Sequence, residues 1–280
     1  MFRLVILIAL LVTLLVVYDS EKGSQSMVTA ANHSLLVRER GLSTKKVDSA
    51  FFSKEVKIVA LGDSLTSGYG DQSGNGGYVT ILEQLLGNQR GISDISISNF
   101  AIGGLSSEQL IQELDKKSIQ DEIAKVDYIL ITIGGNDVIA VAQENIFTLS
   151  KEPFEEENKN FTRKINILVH KLRFYNPNAT LFFVGIYNPF STLFASVPEI
   201  DQIIENWNEG TENVLTKYEN TYFIPISDVF KGNEEEYLYD DYIHPNEEGY
   251  KHLANRVLTY IDQYSQQSVY VDGETDEGDY

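Results

Sequence analysis

Between residues 56 and 226, apolar runs of strand length alternate with longer segments of helical periodicity, and this alternation constrains the fold more than any other feature of the chain. The runs are VKIVALG (56–62), ISISN (95–99), DYILITIG (127–134), TLFFVGIY (180–187) and TYFIPI (221–226). Each reads as nearly all apolar, the pattern of a strand covered on both faces. Helical patterns fill the intervals: from Tyr78 in YVTILEQLLGN, from Ser106 in SSEQLIQEL, from Phe161 to Phe174, and around Ile203 to Tyr218. A last helix is expected after Pro245, turning Tyr250, Leu253, Val257 and Ile261 toward the core. Such alternation predicts an open, parallel sheet with helices on both faces. In a sheet of that kind the ligand site lies outside the carboxyl ends of the strands, so chemistry is expected just after each strand.

Composition narrows what that chemistry can be. Among 280 residues, 22 Lys and Arg stand against 41 Asp and Glu, and the net charge of -19 repels nucleic acid phosphates. No nucleic acid partner is expected. The absence of cysteine removes disulfides, thiol nucleophiles and the usual structural zinc sites. Any nucleophile must be Ser, Thr, Lys or a carboxylate.

The N-terminus places one basic residue, Arg3, before an apolar run from Leu4 to Val17 broken only by Thr13. That is the length of a signal-peptide apolar region, so residues 1–18 are expected to be a signal peptide or N-terminal membrane anchor, and the chain to be exported to the extracellular face of the membrane or secreted. Residues 19–54 mix Ser, Lys, Glu and Asn without sustained periodicity and read as a flexible stalk. A folded domain is expected over 55–265. The tail, 266–280, ends in VDGETDEGDY with five acids and no base and reads as disordered.

Four strand exits carry polar residues suited to catalysis. Ser64 follows the first strand in LGDSLTSGYG; Asn99, Gly103 and Gly104 follow the second in SNFAIGGLSS; Gly134, Gly135, Asn136 and Asp137 follow the third in ITIGGNDV. Asp241 and His244 lie in DDYIHPNEEGY, between the fifth strand and the last helix. A serine hydroxyl needs a base that takes its proton during attack, and histidine titrates in the right range. Of the four histidines, His33 lies in the expected stalk, and His170 and His252 lie in helical segments. His244 is left in a loop. Asp241, three residues earlier, is spaced to hold the imidazole, with Asp240 as the alternative orienter. Asn136 and a glycine NH from Gly103 or Gly104, with the NH of Ser64, are suited to stabilise negative charge on a carbonyl oxygen. Gly, Asn and Ser are also ordinary turn formers, so each residue alone is a weak signal.

Together these segments resemble the GDSL family of serine esterases and lipases, the SGNH hydrolases. GDSL at 62–65 is similar to the family's first block, the segment from Asn99 to Ser106 to its second, GGND at 134–137 to its third, and DYIHP at 241–245 to its last. The resemblance covers roughly residues 55 to 265. It implies a three-layer α/β/α sandwich around a central, mostly parallel five-stranded sheet, flavodoxin-like in outline. It further implies Ser64 as nucleophile, with Asp241 and His244 completing the triad. Ser64, Gly104 and Asn136 would then form the oxyanion hole. No metal and no cofactor are implied.

The reaction expected is cleavage of a carboxylic ester of lipase, esterase or lysophospholipase type, with the N-terminal segment holding the enzyme at a membrane surface. An alternative substrate is an O-acetyl group on a cell-wall polysaccharide. Two other classes share parts of the pattern. Metal-dependent phosphoesterases need several His and Asp ligands around two ions, whereas this domain offers one well-placed histidine; a non-catalytic binding module on the same fold would leave catalytic positions vacant, and here all are filled. The segment IYNPFSTLFASVP (186–198), with Tyr187, Phe190, Leu193 and Phe194, is a candidate acyl-chain wall.

Overall fold

The computed structural model describes residues 54–89, 91–145, 151–188, 190 and 199–272. They belong to one compact unit, Lys54–Tyr280. The expected signal or anchor segment and all but the last residue of the expected stalk lie outside the described residues. Among the described residues no helix is long and apolar enough to cross a membrane.

Five strands, β1 (Lys54–Gly62), β2 (Ile92–Asn99), β3 (Tyr128–Thr132), β4 (Thr180–Val184) and β5 (Thr221–Ile224), form one sheet in the order β2-β1-β3-β4-β5. All four pairings are parallel, so the sheet is wholly rather than mostly parallel. Helices flank it: α1 (Ser64–Ser67), α2 (Gly77–Gly87), α3 (Ser107–Glu113), α4 (Lys117–Ile123), α5 (Gly135–Glu144), α6 (Lys151–Tyr175), α7 (Glu199–Leu215), α8 (Ser227–Phe230), α9 (Glu234–Tyr237) and α10 (Glu247–Asp272).

Successive strand residues point to opposite faces, and this produces two cores. Val59, Leu61, Ile129, Ile131, Leu181 and Phe183 pack with Leu110, Ile123, Val138, Ile165, Leu168 and Trp207 from α3 to α7. Ile58, Ala60, Leu130, Phe182, Val184 and Ile224 pack on the other face with Tyr78, Leu82 and Leu86 of α2 and Tyr250, Leu253, Val257 and Ile261 of α10. The result is the three-layer α/β/α sandwich expected.

Three details depart from the expectation. β2 is not covered on both faces: as an edge strand it carries half-buried isoleucines among polar residues of which all but Ser98 are exposed. A seven-residue helix, α4, stands where no separate element is expected. The helical backbone of α10 continues to Asp272, into the stretch expected to be a disordered tail; residues 273–280 of that tail lie outside the described residues.

The strand order reverses direction at β1, whose neighbours are β2 and β3. Such a switch point leaves a crevice at the carboxyl ends of the strands. Gly62 pairs with Thr132 across β1 and β3, and Ala60 with Asn99 across β1 and β2. Ser64, Gly134 and the Asn99–Leu105 loop therefore leave the sheet side by side.

Candidate active site

The serine is presented by a turn that only glycine can make. Gly62 has φ +137°, and a Cβ there would lie 2.1 Å from the carbonyl oxygen of Thr132. Without a side chain, β1 stays against β3 to its last residue, and the Asp63 NH donates to Thr132 O at 3.2 Å. Asp63 then caps α1, its carboxylate accepting from the NH of Leu65 at 3.1 Å. Ser64 is the first residue of this helix, which ends at Gly68 in the left-handed region.

Ser64 Oγ lies 2.8 Å from His244 Nε2, and His244 Nδ1 lies 2.7 Å from Asp241 Oδ2. Because an ionised carboxylate only accepts, Nδ1 carries the proton and Nε2 is left to accept from the serine hydroxyl. The other Asp241 oxygen accepts from the NH groups of Ile243 and His244, both at 2.9 Å. Burial would raise the Asp241 carboxyl, but these three hydrogen bonds and the nearby imidazole outweigh it and hold the group below its ordinary value. The Asp241 side chain is 7% exposed and that of His244 19%. Asp240 is exposed to solvent. His170 is exposed on α6, and His252 stacks on Tyr237 at 4.4 Å. His33 lies outside the described residues.

The histidine loop is held from several sides. The NH of Tyr239 donates to His244 O at 2.7 Å, and the Tyr69 ring lies 4.5 Å from the imidazole. Gly70 passes close beneath, where a Cβ would stand 2.6 Å from Pro245 O. The hydroxyl of Tyr187 donates to Ile243 O. Tyr187 is thus a buried strut, stacked on Phe230 at 4.1 Å, and not part of an acyl-chain wall. Phe190 is likewise buried, in the core on the α6 and α7 side; Leu193 and Phe194 lie outside the described residues.

Across from the histidine, the loop after β2 is tied to the nucleophile turn. Asn99 donates through Nδ2 to Thr66 O at 2.9 Å, and the NH of Ile102 donates to Gly62 O at 3.0 Å. A tight turn follows, closed by Leu105 NH on Ile102 O at 3.3 Å, with Gly103 and Gly104 at its centre. Gly104, at φ +81°, has open space where a Cβ would stand. A positive φ at the third turn position is the glycine-requiring geometry. Asn136, second residue of α5, donates through Nδ2 to Leu105 O at 2.9 Å, leaving its second amide hydrogen for another acceptor. Asp137 locks the same loop: it accepts from the Ser107 NH at 2.9 Å and the Ser107 hydroxyl at 2.6 Å. Among the described residues, no hydrogen bond engages the NH of Ser64 or Gly104. The structure thus brings Ser64, Gly104, Asn136, Asp241 and His244 to one edge of the sheet.

Beneath the nucleophile lies a buried chain of hydroxyls that the sequence pattern did not reveal. Thr132 Oγ1 donates to Asp63 Oδ1 at 2.9 Å. One proton per hydroxyl then makes Thr66 the donor to Thr132, at 2.7 Å, and Tyr78 the donor to Thr66, at 3.0 Å. Asp63 is the terminal acceptor. Burial pushes its carboxyl up to about 6, against the lowering by Thr132, Leu65 and His244. A raised folded-state value means that its contribution to stability is full below the ordinary carboxylate range and is lost as pH rises through about 6. The rise of roughly two units corresponds to about 3 kcal/mol. The Asp63→Asn variant lacks this dependence. Relative to the parent, its stability is expected to improve by about 3 kcal/mol between pH 3.5 and pH 7.5, read from urea unfolding at each pH. A difference that does not change with pH would mean that Asp63 keeps its ordinary titration in the folded protein.

Among the described residues, no group of three or more His, Cys, Asp or Glu side chains is placed to hold a metal ion.

Comparison with known proteins identifies the family. The sequence profile of the GDSL-like Lipase/Acylhydrolase family matches residues 60–252. The chain is 31% identical over 227 residues to the uncharacterized protein YpmR of Bacillus subtilis, covering 80% of this chain and 89% of the relative. It is 26% identical to the spore germination lipase LipC of Bacillus licheniformis, covering 72% and 94%. Among solved structures, the lipase Lip_vut3 from a goat rumen metagenome superposes with a TM-score of 0.65 at 26% identity, over 73% of this chain and 96% of that one. Axe2, an acetylxylan esterase from Geobacillus stearothermophilus, shares the fold with a TM-score of 0.55 at 20% identity, over 75% and 95%. The chain therefore belongs to the GDSL-like lipase/acylhydrolase family and is a carboxylic ester hydrolase.

Proposed function

We propose that the enzyme cleaves esters bearing an acyl chain, of lipase or lysophospholipase type, by a two-step acyl transfer through Ser64. His244 Nε2 removes the hydroxyl proton as Ser64 Oγ attacks the carbonyl carbon, and Asp241 steadies the resulting imidazolium. The NH groups of Ser64 and Gly104 and the free amide hydrogen of Asn136 receive the developing oxyanion. His244 then gives its proton to the departing alcohol. Water, deprotonated by the same imidazole, attacks the acyl-serine and releases the acid.

The observation that carries this reading is the continuous hydrogen-bonded line from Ser64 Oγ through His244 to Asp241, at 2.8 and 2.7 Å. The choice of an acyl-chain ester is supported by two relatives above 25% identity that bear the name lipase. The apolar run at Leu4–Val17 supports export, with the domain held at the outer face of a membrane or released from it; separation of membrane and culture fluid, with and without residues 1–18, tests that placement.

The test of the site uses a fluorophosphonate probe on the folded enzyme. A single covalent adduct is expected, located by mass spectrometry on Ser64 and blocked by prior incubation with an ester substrate. An adduct on another serine, or none, would overturn the assignment. Substrate class is read from p-nitrophenyl esters of increasing chain length: a maximum at medium or long chains supports the reading, and a maximum at acetyl moves it to the deacetylation of an O-acetylated polysaccharide.

A further inference from the structure

Two exposed apolar residues, Ile102 and Tyr242, lie on the two loops that serve the reacting serine, one on each. Among the described residues only Ile102, Ile167, Phe174 and Tyr242 are large hydrophobic residues left exposed. Ile167 and Phe174 lie on the outer helix α6. Ile102, 43% exposed, precedes the Gly103–Gly104 turn, and its NH is anchored on Gly62 O, two residues before Ser64. Tyr242, 44% exposed, stands between Asp241 and His244. Two residues of chain put each Cα within about 7 Å of the Cα of Gly104 or of His244, inside the reach of a bound acyl group.

The backbone of Tyr242 makes its side chain informative. Among the described residues only Asn220 and Tyr242 are non-glycine residues with positive φ, at 53° and 57°. Asparagine adopts that region readily; a bulky aromatic rarely does. The conformation itself serves the catalytic pair, because it lets Ile243 and His244 both donate to Asp241 while the Tyr242 NH donates to Tyr239 O at 2.8 Å. Glycine would make the same turn without strain. Among the described residues the ring belongs to neither core cluster and takes part in no ring contact or side-chain hydrogen bond. A strained residue at a functional loop, carrying a large side chain outside both core clusters and exposed to solvent, is the pattern expected of a side chain kept for a ligand.

We propose that Tyr242 and Ile102 are the specificity-determining residues of this hydrolase, forming an apolar grip on the acyl chain of the ester so that chains of medium length are preferred to acetyl. This inference rests on Ser64 acting as the nucleophile. With the carbonyl carbon over Ser64 Oγ and its oxygen toward Gly104 and Asn136, an acyl chain that runs between the two loops sheds water against these side chains.

The experiment measures kcat/KM for p-nitrophenyl acetate, butyrate and octanoate with the parent, Tyr242→Gly, Tyr242→Phe and Ile102→Ser. The constant leaving group makes the ratio of octanoate to acetate report the acyl chain alone. The parent ratio is expected to exceed one. It should fall at least about tenfold in Tyr242→Gly and in Ile102→Ser, chiefly through KM, and stay near the parent value in Tyr242→Phe. Thermal unfolding of Tyr242→Gly should occur at or above the parent temperature, since strain is released. A ratio unmoved by Tyr242→Gly, or a parent that prefers acetate, overturns the proposal. Failure of the nucleophile assignment shows separately, as a parent that hydrolyses the esters without fluorophosphonate labelling at Ser64, and it removes this inference with it.

Discussion

Replacing Ser64 with alanine is expected to lower kcat for a chromogenic ester by about 10⁶-fold while leaving the fold in place. The loss is large because the nucleophile and its base act as one unit: without the hydroxyl, His244 has no proton to take and no acyl-enzyme forms. The fold should survive because the Ser64 side chain makes one hydrogen bond, to His244, and alanine is a good helix former at this position in α1. The cap survives as well, since it is supplied by Asp63. A neighbouring hydroxyl does not offer a bypass: Ser67, one turn on, donates to Ser64 O at 3.1 Å. A residual rate above the uncatalysed reaction should persist, because the NH of residue 64, the NH of Gly104 and the Asn136 amide remain to polarise a carbonyl. Circular dichroism and thermal unfolding check the fold; a variant with parent-like unfolding and turnover within tenfold of the parent would exclude Ser64 as the nucleophile.

The positions in this assignment could be read from sequence because each is local to a strand exit. Ser64, Asn136, Asp241 and His244 are polar or turn-forming residues just beyond apolar runs, and a parallel sheet gathers such exits at one edge. The spacing favours Asp241 over Asp240 as the orienter without deciding it, and the structure tells them apart: Asp241 reaches Nδ1 while capping two backbone NH groups of its own turn. The supports were illegible for the opposite reason. Thr66 looks like any helix residue and Thr132 like any strand residue, and their 2.7 Å hydrogen bond joins positions 66 apart. Tyr187 sits in an aromatic-rich segment that reads as a ligand wall, yet its partner is the carbonyl of Ile243, 56 residues on. Asp63 and Asp137 were visible beside Ser64 and Asn136, but burial gives them their roles, and burial is a tertiary property. β2 illustrates the same limit for the fold: its serines are acceptable because it forms an edge, and edge position depends on strand order rather than on its own residues.

Asp241→Asn is expected to lower kcat by about 10⁴-fold with little change in KM, and the geometry gives the reason. In the parent, Oδ1 accepts from the NH groups of Ile243 and His244, and Oδ2 accepts the proton on His244 Nδ1. An asparagine must keep its carbonyl oxygen toward the two backbone donors, which places its NH₂ against Nδ1. Two donors cannot face each other, so the imidazole shifts its proton to Nε2 and becomes a donor to Ser64 Oγ. The base then has no lone pair where the serine proton must go. The loop itself should hold, because the backbone hydrogen bonds are retained; Asp241→Ala would lose them and confound tautomer with disorder. The measurement pairs steady-state kinetics with the rate of fluorophosphonate labelling, which also needs Nε2 as base and should fall in parallel. Parent-like labelling in Asp241→Asn would show that the tautomer is set by something other than Asp241. A fall of similar size on replacing the exposed Asp240 instead would transfer the orienting role to that residue.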